Sequence, residues 1–449
     1  MVACAALRHR SAKSNRWTAP LSSRKQWLTA ALVGGLFFPQ REALGFDSRE
    51  STPGLKRQVT IINGETRSFK RASIVMARAN GLQISPNTIE RICLDVGRDL
   101  MEAEQGQWQS VLTGEVSAPQ VAIVEFDGGR IRTRQPGHGP GVHLSAKGWN
   151  ETKNAIFVSA SSSTSDVDPD PDPPACFLDR DHVAKLTEKA KIKEKQRADD
   201  SFPDEEGDDP SQRDKQADAS YKPKRVLRTV LSSMKNSKQF GEQMSREAKR
   251  RRFDEAPRKA YVADGLTCNW SIHKMHFRDY TPILDFTHAV SYLFTASSAC
   301  YGHDETAWCT YCQWMRSTWC GEIDSVIRQL REHQDRIGLP DGDASEDDPR
   351  EQLRRVIGYF ENNRTRMRYD EYRRQGLPTT SAWMESTVKE MNYRIKGTEM
   401  FWNNPVGAEA ILQIRSATLS DDDRLVRFLT HRPGRAKLRR PAPAGNQAA

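Results

Sequence analysis

The chain has 449 residues, too many for one ordinary hydrophobic core and enough for two or three structural units. Lys and Arg total 68 against 59 Asp and Glu, a formal charge of +9, and the eight cysteines lack the dense spacing of a disulfide scaffold. A small stapled extracellular domain is therefore excluded, and a reducing cytoplasm and polyanionic partners are expected.

Residues 1–25 are polar and basic and read as a disordered tail. Leu28 to Phe38 is an apolar run well short of the roughly 20 residues that cross a bilayer. Gly34-Gly35 interrupts it and no small-x-small cleavage site follows, so a buried helix or strand is expected rather than a signal peptide. Residues 26–118 read as a helical DNA-binding region. Phe69, Ile74, Val75 and Ala77 lead to a turn at Asn80-Gly81-Leu82. Ser85-Pro86 then opens a second helix with Ile89, Ile92, Cys93 and Val96 as its apolar stripe. Two helices about a short turn match a helix-turn-helix outline, the alternative being an ordinary helical hairpin.

A strand meander follows over Gln120–Phe126, Arg130–Arg134 and Asn154–Ala160, with Gly128-Gly129 expected to turn the chain after Asp127. Gln135–Lys147 reads as an irregular loop. Residues 166–220, with Asp-Val-Asp-Pro-Asp-Pro-Asp-Pro-Pro and a charged helical piece over Val183–Lys195, read as a flexible linker. From Val226 a helical pattern leads to the strand Ala260–Ala263, with Asp264 at its end. Thr281–Phe286 is another strand, followed by a helix from about Thr287. Residues 119–165 and 221–295 thus form an α/β core, and 296–378 a helical insertion broken by the acidic loop Gly338–Pro349. Residues 379–429 return to the core with helices over Ala382–Lys396 and Ala408–Thr418, and 430–449 read as a disordered tail.

Three carboxylates stand out: Asp127 and Asp264 at apolar strands running into Asp-Gly, and Glu385 in the first turn of a helix. Two strand aspartates and a helix glutamate suit magnesium or manganese, which take oxygen ligands and keep positions for water and a phosphodiester. Asp285 and His288 form an Asp-x-x-His pair past a strand. They are possible accessory residues, Asp285 rivals Asp264 as second ligand, and the alternative is a plain helix cap. Cys309-x-x-Cys312, with Cys300, Cys320 and His303, has knuckle-like spacing, yet it lies in an aromatic helical pattern where small apolar packing is the better reading. The aromatics Trp308, Tyr311, Trp314 and Trp319 are expected in the core of the insertion. Cations suited to phosphate are Arg130, Arg250, Arg251, Arg252, Arg364, Arg366, Arg368, Arg394 and Lys396; the alternative is a solvated basic face.

These segments resemble the ISKra family of bacterial insertion-sequence transposases, in the Mutator-like DDE group. The resemblance runs from about Trp27 to Leu429. It rests on Gly-Leu-Phe-Phe-Pro-Gln-Arg-Glu-Ala-Leu-Gly near the start, Phe-Asp-Gly-Gly-Arg-Ile-Arg-Thr-Arg, Gly-Trp-Asn-Glu-Thr-Lys, Val-Ala-Asp-Gly and Ile-Leu-Asp-Phe-Thr-His-Ala. It continues through Tyr-Phe-Glu-Asn-Asn-Arg-Thr-Arg-Met-Arg-Tyr, Gly-Leu-Pro and Arg-Ile-Lys-Gly-Thr-Glu-Met-Phe-Trp. The resemblance implies a ribonuclease H-like mixed sheet flanked by helices and a DDE triad falling on Asp127, Asp264 and Glu385. It implies metal-dependent cleavage and strand transfer at terminal inverted repeats, attack on target DNA, a homodimer or higher synaptic assembly, and a nucleoid-associated location. One departure is that Thr380-Ser381-Ala382 stands where the family commonly has Gly-Ser-Gly. Two rival expectations are a nuclease without strand transfer and a decayed or repurposed DNA-binding protein.

Overall fold

Val-Ala-Ile-Val-Glu-Phe at 121–126 is apolar or β-favouring at nearly every position, the pattern of a strand covered on both faces. In the computed structural model it begins strand β1, Val121–Arg132, at the centre of a five-stranded sheet. The structure describes residues 28–29, 36–37, 51–106, 116–134, 149–198, 221–396 and 401–431. Two compact units divide the chain, one of residues 1–114, 410–418 and 423–449, the other of residues 115–409 and 419–422.

The first unit contains three capped helices, α1 (Pro53–Glu65), α2 (Phe69–Asn80) and α3 (Pro86–Gln105). Thr52, Ser68 and Ser85 cap their N-termini by accepting from Leu55, Arg71 and Thr88 N–H. Gly81 ends α2 in the left-handed conformation, as the Asn-Gly pair predicts. Ala72 and Met76 of α2, and Ile89, Ile92, Cys93, Val96 and Leu100 of α3, are buried. Helix α1 has no counterpart in the sequence reading, because Lys56, Thr60 and Asn63 share its buried face and blur the apolar stripe. Leu28–Thr29 and Leu36–Phe37 pair as a two-residue antiparallel ladder.

The second unit holds the sheet, in the order β3-β2-β1-β4-β5. The strands are β1, β2 (Trp149–Ser161), β3 (Lys224–Ser233), β4 (Arg258–Ala263) and β5 (Thr281–Leu284). Pairing is antiparallel from β1 to β2 and β2 to β3, and parallel from β1 to β4 and β4 to β5. The predicted turn at Gly128-Gly129 is absent. Strand β1 runs straight through, with Gly128 opposite Lys153 and Gly129 opposite Thr152. A Cβ on Gly129 would lie 2.8 Å from Thr152 Oγ1, so the glycine makes room for a cross-strand neighbour rather than bending the chain. The helical pattern expected after Val226 is also corrected. Lys224–Ser233 is strand β3, where Val226, Thr229 and Val230 favour the extended backbone.

The flexible linker expected over 166–220 is corrected over its described residues, 166–198. Residues 166–178 dock on the helical region: Asp168 pairs with Arg373, Trp319 Nε1 donates to Asp170 O at 2.9 Å, and Tyr311 Oη donates to Phe177 O at 2.9 Å. Prolines preset the extended backbone and leave the acidic groups as acceptors, so low hydrophobicity here does not mean flexibility. Helix α4 (Arg180–Ala198) follows where the charged helical piece is predicted. The expectations for 1–25, 135–147, 199–220 and 432–449 lie outside the described residues.

Helix α5 (Ser237–Arg250) leads into β4, and α6 (Thr267–His276) joins β4 to β5. The helical region starts before the expected residue 296 and consists of α7 (Phe286–Tyr301), α8 (Glu305–Trp319), α9 (Ile323–Ile337), α10 (Pro349–Asn363) and α11 (Tyr369–Arg374), with the acidic loop between α9 and α10. Tyr311, Trp314, Met315 and Trp319 are buried there, as the aromatic pattern predicts, whereas Trp308 is half-buried. Helices α12 (Ala382–Ile395), α13 (Pro405–Leu419) and α14 (Arg424–His431) come last among the described elements. Trp402 lies against the end of β1, its N–H donating to Arg132 O at 2.8 Å and its carbonyl accepting Arg134 N–H. Among the described residues, no helix is long and apolar enough to cross a membrane.

Candidate active site at the parallel strand ends

Register fixes the relation among the aspartates. The last parallel pairs are Phe126 with Ala263, and Ala263 with Leu284. The next residues along the three neighbouring strands are Asp127, Asp264 and Asp285. They therefore sit level at one edge of the parallel half of the sheet, where strands lie about 4.8 Å apart. Equal register also turns their side chains toward the same face, which Glu125, two residues before Asp127, shares.

The three aspartates have different occupations. Asp264 is buried, and its Oδ1 accepts from Asn269 Nδ2, with Leu266 N–H at 3.4 Å. Asp285 caps α7 through Thr287 N–H at 3.0 Å, meets His288 Nδ1 at 3.0 Å, and accepts from Ser381 Oγ at 2.7 Å. Burial pushes the Asp285 carboxyl up, but His288, the Ser381 hydroxyl and the Thr287 N–H outweigh it and hold the group below the usual carboxylate range. Asp285 is thus a structural anion with its acceptors engaged, which favours Asp264 over it as a ligand. Asp127 is half-buried opposite Asn154.

Glu125 is fully buried, and its Oε2 accepts the Met384 N–H of α12 at 2.7 Å. Burial pushes its carboxyl up to about 8, the Met384 N–H opposes this, and the nearby Asp285 charge adds to it. At neutral pH Glu125 is therefore mostly a neutral acid. Together Glu125 and Asp285 hold the start of α12 over the sheet, one through Met384 N–H and the other through the Ser381 N–H and hydroxyl. Glu385, the next residue, is exposed, with Lys389 Nζ at 3.8 Å.

Carboxylate oxygens at the ends of adjacent strands fit a hard divalent cation, and Asp127 with Asp264 supply them. Among the described residues no three Asp, Glu, His or Cys side chains form one metal-binding group, so Glu385 does not join the two aspartates in this conformation. Cys309 and Cys320 are exposed and Cys300 and Cys312 half-buried, all as free thiols.

The predicted phosphate-binding cations divide. Arg251 is buried, bound to Glu247 at 3.2 Å and to Asp422 and Thr229, and Arg394 is buried beside the Trp402 ring at 5.3 Å. Neither is a surface cation. The correction has one cause: an arginine in a basic run can still be the internal partner of a buried acid. Arg250 bonds Glu247 at 3.0 Å and is nearly buried. Arg252 pairs with Glu255, and Arg366 lies 4.2 Å from the Trp270 ring. Arg130 and Lys396 are half-buried, the latter 5.8 Å from the Trp149 ring. Arg364 and Arg368 are exposed, with Glu371 3.6 Å from Arg368.

Glu125, Asn269 and Ser381 belong to this site and escaped the sequence reading. Period-two alternation from Asp127 points back to Glu125, but only the register shows that its face is covered by α12. No protein-family model matches the chain, and no curated protein matches it.

Proposed function

We propose that the chain is a DDE-type transposase that cleaves DNA at the ends of a mobile element and transfers the freed 3′ end to a target. One observation carries this reading: the parallel register that brings Asp127 and Asp264 level at adjacent strand ends, on the face where α12 begins. Three antiparallel strands followed by two parallel ones, in the order β3-β2-β1-β4-β5, support the ribonuclease H-like reading of the sheet. The capped α2–turn–α3 pair supports a helix-turn-helix-like region that recognises element ends.

On this reading Asp127 and Asp264 hold Mg²⁺ or Mn²⁺. A bound ion supplies activation of water or a 3′-hydroxyl and stabilisation of the leaving oxygen. The chain's own residues do the rest. Asn269 fixes the Asp264 carboxylate, and Glu125 with Asp285 sets where α12 starts. Glu385, one residue beyond the pinned turn, would be the third residue to hold the ion on this reading.

The test is cutting of a labelled terminal-repeat duplex, taken from the flanks of the encoding locus, in Mg²⁺ or Mn²⁺. Asp127→Ala, Asp264→Ala and Glu385→Ala should abolish metal-dependent cutting. If Asp285→Ala abolishes it while Asp264→Ala does not, the second ligand is misassigned. Cutting without joining of paired ends identifies a nuclease. A second reading, a decayed transposase that still binds DNA, draws on Glu385 standing outside the aspartate pair and on Thr380 and Ala382 standing, on either side of Ser381, where the family has flexible glycines. End binding without any cutting would establish it.

A further inference from the structure

Tyr359 of α10 reaches the strand-end site from the helical insertion. Its ring stacks on Tyr292 of α7, with centroids 3.7 Å apart and planes at 10°. The phenol lies directly over the Asp264-Gly265 turn, since a Cβ on Gly265 would stand 2.9 Å from its Oη. Only glycine admits this approach. The hydroxyl is closed off from solvent and has no hydrogen-bond partner among the described residues. It feels the charges of Asp264 and Asp285 yet bonds to neither. A buried donor left without an acceptor is costly, and in a native protein it asks for one that arrives from outside.

We propose that the Tyr359 hydroxyl donates to a non-bridging oxygen of the phosphodiester held beside Asp127 and Asp264. The inference rests on the transposase reading above. The stacked pair holds the phenol in place, and the ligand is an anionic oxygen able to accept its hydrogen bond. A tyrosine from the insertion thereby links that region to the reacting centre. The same residue would exclude a side chain at position 265, so Gly265 and Tyr359 act as a matched pair.

The test compares wild type, Tyr359→Phe and Asp127→Asn on the labelled terminal-repeat duplex in Mg²⁺, with duplex binding measured without divalent ion and thermal unfolding recorded for each. Phenylalanine keeps the stack and removes only the hydroxyl. The expected result is cutting slowed about 10²-fold in Tyr359→Phe, with duplex binding unchanged and Tm unchanged or slightly higher. Wild-type cutting by Tyr359→Phe, with Asp127→Asn inactive, overturns the inference and leaves the transposase reading intact. Cutting by Asp127→Asn at the wild-type rate, or no cutting by wild type, overturns both.

Discussion

Asn269 shows how much of a site one residue type can hide. Its amide donates to Asp264 from the first turn of α6, five positions on, and nothing in Asp-Gly-Leu-Thr-Cys-Asn marks it as special. Removing a residue that orients a metal-ligating carboxylate costs roughly 10- to 100-fold. On the transposase reading, Asn269→Ala should therefore slow cutting by about that factor and shift the Mg²⁺ dependence to higher concentration, read from rate against ion concentration. Arg251 makes the opposite point. Its replacement by Met would leave Asp422 buried without that cation and Glu247 with Arg250 alone, and should cost about 3–5 kcal/mol in urea unfolding. Loss of DNA binding at unchanged stability would contradict that placement. The sequence marked Asp127, Asp264 and Asp285 as strand-end carboxylates and preferred Asp264 to Asp285 only for its Val-Ala-Asp-Gly context. Their difference lies in Ser381 and His288, hydrogen-bonding partners that the strand pattern does not reveal.

Elements were legible where periodicity and caps agreed. The α2–α3 pair, the helices of the insertion with their acidic loop, and α12 fall close to where the pattern puts them. Strand β3 was missed because its arginines mimic a basic helix; Arg228 in fact reaches Thr387 and Glu390 from the sheet. Charge also separates the two helices of the N-terminal pair. Helix α3 carries Glu90, Asp95, Asp99, Glu102 and Glu104 against Arg91 and Arg98, whereas α2 carries Lys70, Arg71 and Arg78 and no acid. Those three cations are exposed. On the helix-turn-helix reading, phosphate binding should therefore come from α2 rather than from α3. Substituting Lys70→Gln, Arg71→Gln and Arg78→Gln together should flatten the log–log dependence of DNA affinity on salt by about 0.9 for each phosphate no longer neutralised. An unchanged slope would place the phosphate-binding cations elsewhere.

At the scale of the molecule, the acidic segment 166–178 is fastened rather than free. Arg373 is buried, holds Asp168 at 2.8 Å, donates to Trp319 O at 3.0 Å and covers the Trp319 ring at 4.0 Å. Burial raises the Asp168 carboxyl, but the Arg373 hydrogen bond, the Asp170 N–H and the charges of Arg373 and Arg374 bring it below its ordinary value. A carboxylate lowered on folding contributes stability that is complete above its unfolded pKa of about 3.9 and is lost as pH falls through the folded value. Unfolding followed from pH 6 to pH 2 should show a shallower acid loss in Asp168→Asn than in wild type. Equal slopes would mean that the pair does not hold in solution. Composition misread this segment because acidity and proline suggest a solvated chain, while the cation that anchors it lies far along the sequence.

The hydrogen bond between Glu125 and Met384 spans 259 positions. During synthesis the ribosome delivers the β1 carboxyl long before the helix that satisfies it, with the whole insertion still to come. Until then Glu125 lacks the Met384 N–H, and Glu385 has yet to be added. A nascent chain therefore holds its aspartates in an incomplete arrangement, and on the transposase reading the ability to break DNA is acquired only after the insertion has been made.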